Sequence, residues 1–409
     1  MKNVMKWIAV SCAGLVILLT GGCGDGGESN PTPGVTDNEI VIGSWGPQTG
    51  PAAPWGAVTR GIDCYFKLIN EEGGITGRQI RFVMRDDAYQ PARTKAVVKE
   101  MLESEGAFAF VGGIGTACGM AVKDYLKENN TPWVAPNTGS THFAYPLSRN
   151  IFTAQPPYAD EAAILTQYAI TELGKKKIAI FYQNDDYGKG GMVGATLELR
   201  QHNLEIVEAA SVEVMDSDLS SHALRLQNSG AEVVLLFTTP KQATILLGES
   251  AKLGFAPVWM SSLTLGDMEL MHTISRGLWE NVIFGNYIEM PTSDHPDVLR
   301  YKAAQEKYFP DERWSWLYLA GFATAELIAE GLKRCGKDLT RDRLISTMES
   351  IQDFQGIGGK ISYSATNRQG SRAIRINKCI SATEVEILAE SIASDIDIQE
   401  AIKLQAEGL

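Results

Sequence analysis

The sequence predicts an α/β protein of two doubly wound, Rossmann-like lobes, each built on a parallel central sheet, and three observations carry that prediction. From Glu39 onward, short β-rich runs alternate with longer segments of helical spacing. The alternation halts at a proline-rich join, Gln155-Pro156-Pro157, and then restarts in kind. The chain has 409 residues, enough for two or three globular units at roughly 100 to 200 residues each.

In the first half the spacing predicts strands over 40–45, 79–85, 108–112 and 133–135, with helices over 55–70, 91–104 and 119–128. Strands separated by single helices need right-handed crossovers, which pack back onto one parallel sheet and cover both of its faces. After the join, helices are predicted over 159–173, 190–202, 220–229 and 243–253, and strands over 177–182, 205–214, 233–238, 258–261 and 282–287. Met290 and Pro291 then read as a second crossing between lobes. Residues 314–332 supply one more helix to the first lobe, and 360–377 return as a hairpin through a third strand connection, completing a three-strand hinge. The expected division is a leader over 1–22, a tether over 23–37, a first lobe of 38–155 with 290–362, and a second of 156–289 with 363–395.

Composition sets the class of partner. Hydrophobic residues make up 44% of the chain and charged residues 21%, which suits a packed core. The 49 acidic residues outnumber 37 basic ones, and a net charge of −12 repels nucleic acid, so no nucleic-acid partner is expected. Lys2 and Lys6 precede an uncharged apolar run over 7–20, followed by Leu19-Thr20-Gly21-Gly22-Cys23. Small residues before a cysteine resemble a bacterial lipoprotein signal, although Thr20 stands where leucine is usual, and an ordinary secretory signal is the other reading. The apolar run is shorter than the roughly 20 residues a membrane-crossing helix needs, so it is expected to be removed, leaving Cys23 lipidated and the protein anchored outside the cytoplasm. Residues 24–36 are rich in Gly, Pro and Ser and read as a flexible tether. Cys64, Cys118, Cys335 and Cys379 remain for the folded body, enough for up to two disulfides.

In open parallel sheets ligands bind beyond the carboxyl ends of the strands, so the loops there are the ones that carry function. Gly112-Gly113-Ile114-Gly115-Thr116 follows a strand and opens a helix, which suits an anion held by backbone amides and the Thr116 hydroxyl, or else a tight glycine turn. The dinucleotide fingerprint fails there, because its third glycine position is Cys118. Thr138, Gly139 and Ser140 form a second hydroxyl-rich loop, a polar-head site or a self-satisfied turn. Trp55, in a Gly/Pro loop at a helix entrance, offers an apolar wall, whereas Trp45 continues its strand into the core. Tyr187, Thr238 and Ser262 end strands of the second lobe and add a ring and small polar contacts. Trp314, Trp316 and Tyr318 are spaced by two and so cannot all face one way on a helix. The five histidines are scattered, and no H-E-x-x-H, G-x-S-x-G or P-loop occurs. No catalytic residue, metal or cofactor is therefore expected.

Glu39-Ile-Val-Ile-Gly43, Gly46-Pro-Gln-Thr-Gly50, Trp55-Gly56, Ile69-Asn-Glu-Glu-Gly-Gly-Ile-Thr-Gly77, Asp86-Asp87 and Asp186-Tyr187-Gly188 together resemble the branched-chain amino acid (Leu/Ile/Val) type of periplasmic binding protein. The resemblance runs from about Glu39 to Lys378. It implies a type I binding-protein fold whose lobes close on a small molecule, with delivery of that molecule to the membrane permease of an ABC importer. It implies that Thr116, Thr138 and Ser140 hold a ligand carboxylate, and that Trp55, Tyr187, Thr238 and Trp316 line the rest. In that family an acidic residue matching the Ser261-Ser262-Leu263-Thr264 loop holds the α-ammonium, and this loop has none. Either Asp185, Asp186 or Asp267 replaces it, or the ligand is an aromatic or aliphatic acid or an amide. A monomeric receptor for a carboxylate-bearing solute is the leading expectation. A sensor domain for a signalling partner stands second, and an enzyme using the interlobe cleft third.

Overall fold

The computed structural model describes residues 32–408, so the leader, Cys23 and most of the expected tether lie outside the described residues. The strands are β1 Glu39–Gly46, β2 Gln79–Asp86, β3 Ala109–Val111, β4 Trp133–Val134, β5 Ile151–Phe152, β6 Ile178–Gln183, β7 Ala209–Val212, β8 Val233–Phe237, β9 Val258–Ser261, β10 Ile283–Asn286, β11 Phe354–Gly356, β12 Gly359–Ile361, β13 Ala373–Cys379 and β14 Val385–Ala393. The helices are α1 Ala57–Glu71, α2 Pro91–Glu103, α3 Thr116–Glu128, α4 Tyr158–Thr171, α5 Asp186–Gln201, α6 Ser220–Asn228, α7 Pro240–Lys252, α8 Met268–Ile274, α9 Pro296–Tyr308, α10 Trp316–Cys335, α11 Arg341–Glu349 and α12 Ile398–Ala406.

Two sheets organise two lobes. The first runs β2-β1-β3-β4-β5 and is parallel throughout. The second runs β14-β13-β10-β9-β8-β6-β7, parallel from β7 to β10 and antiparallel at β13 and β14. Strands covered by helices on both faces should read as continuous apolar runs, and β8, Val-Val-Leu-Leu-Phe, is buried at every position. Trp45, next to last in β1, lies in the core against Phe110 and Trp133.

The chain crosses between lobes three times: from β5 to α4, from β10 to α9, and from β12 to β13. The crossings are tied side by side. Thr153 N donates to Arg368 O at 2.9 Å, Gly370 N to Thr153 O at 2.9 Å, and Glu289 N to Ile357 O at 2.8 Å. The returning hairpin lies earlier than expected, as β11 and β12 around Ile357-Gly358, where Gly359 adopts φ +78°. A second hairpin, β13 and β14, completes the mixed sheet. Helix α3 begins at Thr116 rather than 119, immediately after Gly115 at φ +101°.

Of the up to two disulfides that Cys64, Cys118, Cys335 and Cys379 allow, none is formed among the described residues. All four cysteines are buried and free, each in its own surroundings. Cys335 Sγ donates to Thr347 Oγ1 and Cys379 Sγ to Ser381 O, both at 3.2 Å. The end of the presumed tether is also ordered, since Val41 N donates to Gly34 O at 2.8 Å and Val35 packs on the core. At the other end of the chain, Ile396, Ala401 and Leu404 pack α12 against Ala159, Ala163 and Val193 of α4 and α5. From α12, Gln405 accepts from Thr141 of the first lobe at 3.0 Å and donates to Asp186 O of the second at 3.3 Å.

α1 and α10 touch backbone to backbone. A Cβ on Gly61 would sit 2.0 Å from Tyr318 O, and one on Gly321 would sit 2.2 Å from Val58 O. No side-chain rotation relieves a clash with a carbonyl, so the helices would have to separate. Gly321→Val is expected to cost at least about 1–3 kcal/mol, read as a lower denaturation midpoint at unchanged denaturant slope.

Candidate functional site

A cavity lies where the strand ends of both sheets meet. The first lobe supplies Trp55 from the turn before α1, Tyr89 after β2, Gly115 after β3 and Asn137 after β4. The second supplies Tyr187 from the first turn of α5 and Leu263 and Thr264 after β9. Gln155, Tyr158 and Tyr287 enter from the crossings, and Trp316, Leu317 and Ala320 from the start of α10. Helix starts and strand ends converge there because parallel strands present both on one edge of the sheet.

The walls are aromatic and the lobes meet across them. Trp55 Nε1 donates to Thr264 O of the opposite lobe at 3.0 Å. The Trp55 ring stands edge-on to Tyr89 at 5.4 Å and to Tyr187 at 6.4 Å, and Tyr158 lies 4.6 Å from Tyr187. The Tyr187 hydroxyl is 2.6 Å from Thr264 Oγ1, and Trp316 Nε1 donates to Asn286 Oδ1 at 2.9 Å. Burial pushes the Tyr89, Tyr158, Tyr187 and Tyr287 phenols up, so all four stay neutral.

Three of the expected ligand residues, Trp55, Tyr187 and Trp316, line this cavity. The spacing of two in 314–318 resolves accordingly: Trp316 faces the cavity, Tyr318 is core, and Trp314 Nε1 donates to Pro291 O at the second crossing. Thr116, Thr138, Gly139 and Ser140 stand behind the wall. Thr116 Oγ1 and Thr138 Oγ1 are 2.7 Å apart and pair with each other, and the Tyr158 ring packs so closely on Gly139 that a Cβ there would lie 2.9 Å from it. Ser140 N donates to Thr138 Oγ1 at 3.1 Å. The two threonine hydroxyls expected to hold a carboxylate are thus engaged with each other, one layer behind the cavity wall. Thr238 and Ser262 are likewise one layer back: the Thr238 carbonyl lies 3.4 Å from the Tyr187 hydroxyl, and Ser262 Oγ donates to Glu161 at 2.9 Å.

None of the three candidate acids lines the cavity. Asp185 caps α5, accepting from Tyr187 N at 3.0 Å, and takes Gln183 Nε2 at 2.5 Å. Asp186 follows in that helix's first turn. Asp267 caps α8 and pairs with Arg313 at 2.5 Å. The acid closest to the Ser262 loop is one the sequence reading missed, Glu161 on α4, which accepts from Ser262 Oγ and Leu263 N. Burial pushes its carboxyl up to about 8. Its position in a first helical turn reads as ordinary dipole compensation, so nothing local marks it. Tyr89 and Tyr287 were within reach of the strand-end rule, whereas Gln155 and Tyr158 sit in the join itself. Among the described residues no group of three or more His, Cys, Asp or Glu side chains is placed to hold a metal ion, and no helix is long and apolar enough to cross a membrane.

Residues 39–384 match the model of the periplasmic binding protein family. The chain belongs to that family. Among curated proteins, this periplasmic binding protein is 24% identical over 345 residues to Leu/Ile/Val-binding protein homolog 3 of Brucella melitensis, covering 83% of this chain and 91% of the relative. Among solved structures it resembles a fatty acid ABC transporter substrate-binding protein from Thermomonospora curvata, with a TM-score of 0.82, 23% identity and coverage of 91% and 96%. A branched chain amino acid ABC transporter from Thermus thermophilus with bound valine superposes with a TM-score of 0.80, 19% identity and coverage of 91% and 100%. The type I, two-lobed architecture expected from the sequence is therefore the fold of this binding protein.

Proposed function

We propose that this binding protein is a monomeric, extracytoplasmic receptor, lipid-anchored through Cys23, that traps a small solute between its lobes and passes it unaltered to the membrane permease of an ABC importer. The observation that carries the proposal is the aromatic cavity shared by the two lobes and spanned by the Trp55–Thr264 hydrogen bond. A solute touching both walls favours the closed state by its differential affinity, and the permease reads closure. The relatives named for Leu/Ile/Val and for fatty acid ABC transport support a solute with a hydrocarbon or aromatic body. Such a body fits walls of Trp55, Ile114, Leu263, Trp316 and Leu317.

The test is a thermal-shift screen of the leaderless protein against amino acids, organic acids and amides, with the solute recovered and identified afterwards. A ligand at about 100 times its Kd should add about 2.7 kcal/mol. Trp55→Ala should weaken that ligand at least about tenfold, losing the stacked surface and the cross-lobe hydrogen bond, while the unliganded melting curve stays cooperative. A solute returned chemically changed would instead support the enzyme reading.

A further inference from the structure

The cavity walls contain none of the charges a zwitterion or an organic anion needs. Among the described residues, no Asp, Glu, Lys, Arg or His lines the cavity. A buried ion without a partner costs several kcal/mol, and an ammonium or carboxylate entering here would leave water for phenols, indoles and aliphatic carbon. The acids nearest the cavity already hold protein donors, Asp185 at the start of α5 and Glu161 under the Ser262–Leu263 turn. The Thr116 and Thr138 hydroxyls, which would suit a carboxylate, are paired with each other at 2.7 Å and stand outside the cavity lining.

Two polar side chains in the wall carry a buried atom without a partner, Asn137 at Oδ1 and Gln155 at Nε2. Gln155 is 6% exposed, lines the cavity, and has its Nε2 buried with no hydrogen bond. Its backbone is pinned, because Gln155 O accepts from Gln369 Nε2 at 2.9 Å across the hinge. An unpaired buried amide N–H costs about 1–3 kcal/mol, which a ligand oxygen would recover. The same group also lines the adjoining small pocket with Asn137, Tyr287 and Thr324.

We propose that the solute is uncharged and presents a carboxamide-like donor and acceptor group to Gln155, with its apolar body against Trp55 and Trp316. This rests on the solute-binding function proposed above. A carboxamide pairs with the Gln155 amide through complementary N–H and C=O groups and brings no charge to be neutralised.

The test is calorimetric titration of the leaderless protein with two matched series: phenylacetamide, phenylacetate, phenethylamine and phenylalanine, and isovaleramide, isovalerate, isoamylamine and leucine. The amide of at least one series should bind at least thirtyfold more tightly than its acid, amine and amino acid. Gln155→Leu should weaken the amide about tenfold and leave the acid no better. An acid, amine or amino acid that binds the unmodified protein as tightly as its amide overturns the uncharged-solute proposal and leaves the receptor function standing. Silence from both complete series, with cooperative melting intact, counts against solute binding itself and so against both.

Discussion

Replacing Glu349 by alanine is expected to lower the unfolding free energy by about 3–5 kcal/mol, the cost of stranding a buried charge. Its partner is Arg368, whose side chain is only 1% exposed. The guanidinium is held by Glu349 and by the Ser364 carbonyl and stacks over the Phe152 ring at 4.8 Å. Arg368 precedes β13 on the third crossing, and its carbonyl accepts from Thr153 N of the first. Loss of the pair should therefore loosen the hinge as well as destabilise the fold. The double variant Arg368→Met with Glu349→Leu should recover most of the loss, since apolar replacement removes both desolvated charges together. Urea denaturation of the three proteins checks this. A Glu349→Ala midpoint equal to that of the parent would mean water reaches the guanidinium.

The second large effect concerns pH. Burial raises the Glu161 carboxyl from its ordinary 4.5 to about 8, and that of Glu326, which accepts from Tyr301 and Ile357, to about 7. A carboxyl raised on folding binds its proton more tightly in the native state, so its contribution is fully present below about 4.5 and is lost as pH rises towards the folded value. Each unit of separation is worth about 1.4 kcal/mol, which makes Glu161 a contribution of a few kcal/mol across that window. The melting temperature should thus fall between about pH 5 and 8, and Glu161→Gln should flatten the fall. Glutamine reproduces the protonated carboxyl, with an acceptor for Leu263 N and a donor for Ser262. Parallel slopes for variant and parent would show that Glu161 is already ionised at pH 5.

The fold was legible because it rests on periodicity. β1 and β8 are apolar runs bounded by turn residues, and the restart after Pro156-Pro157 marks the second lobe without any contact being known. The polar helices α8, α9 and α11 were not read, since each buries only a narrow stripe of a few residues. At the site, Trp55, Tyr187 and Trp316 were legible as large rings at strand ends and helix starts. The roles of Thr116 and Thr138 were not, because their hydroxyls pair with each other across 22 positions of the chain. A local pattern tells which loops reach the cleft, but not which side chain arrives in front.

The C-terminal helix has a practical consequence for anyone studying this receptor. Gln405 hooks Thr141 on one side of the seam and Asp186 on the other, only a few positions from the last described residue. A dye coupled beyond α12 would sense opening and shutting from outside the cavity and leave the ligand's walls untouched. A bulky purification handle placed there would weigh on the same equilibrium, so apparent affinities measured with and without it should differ.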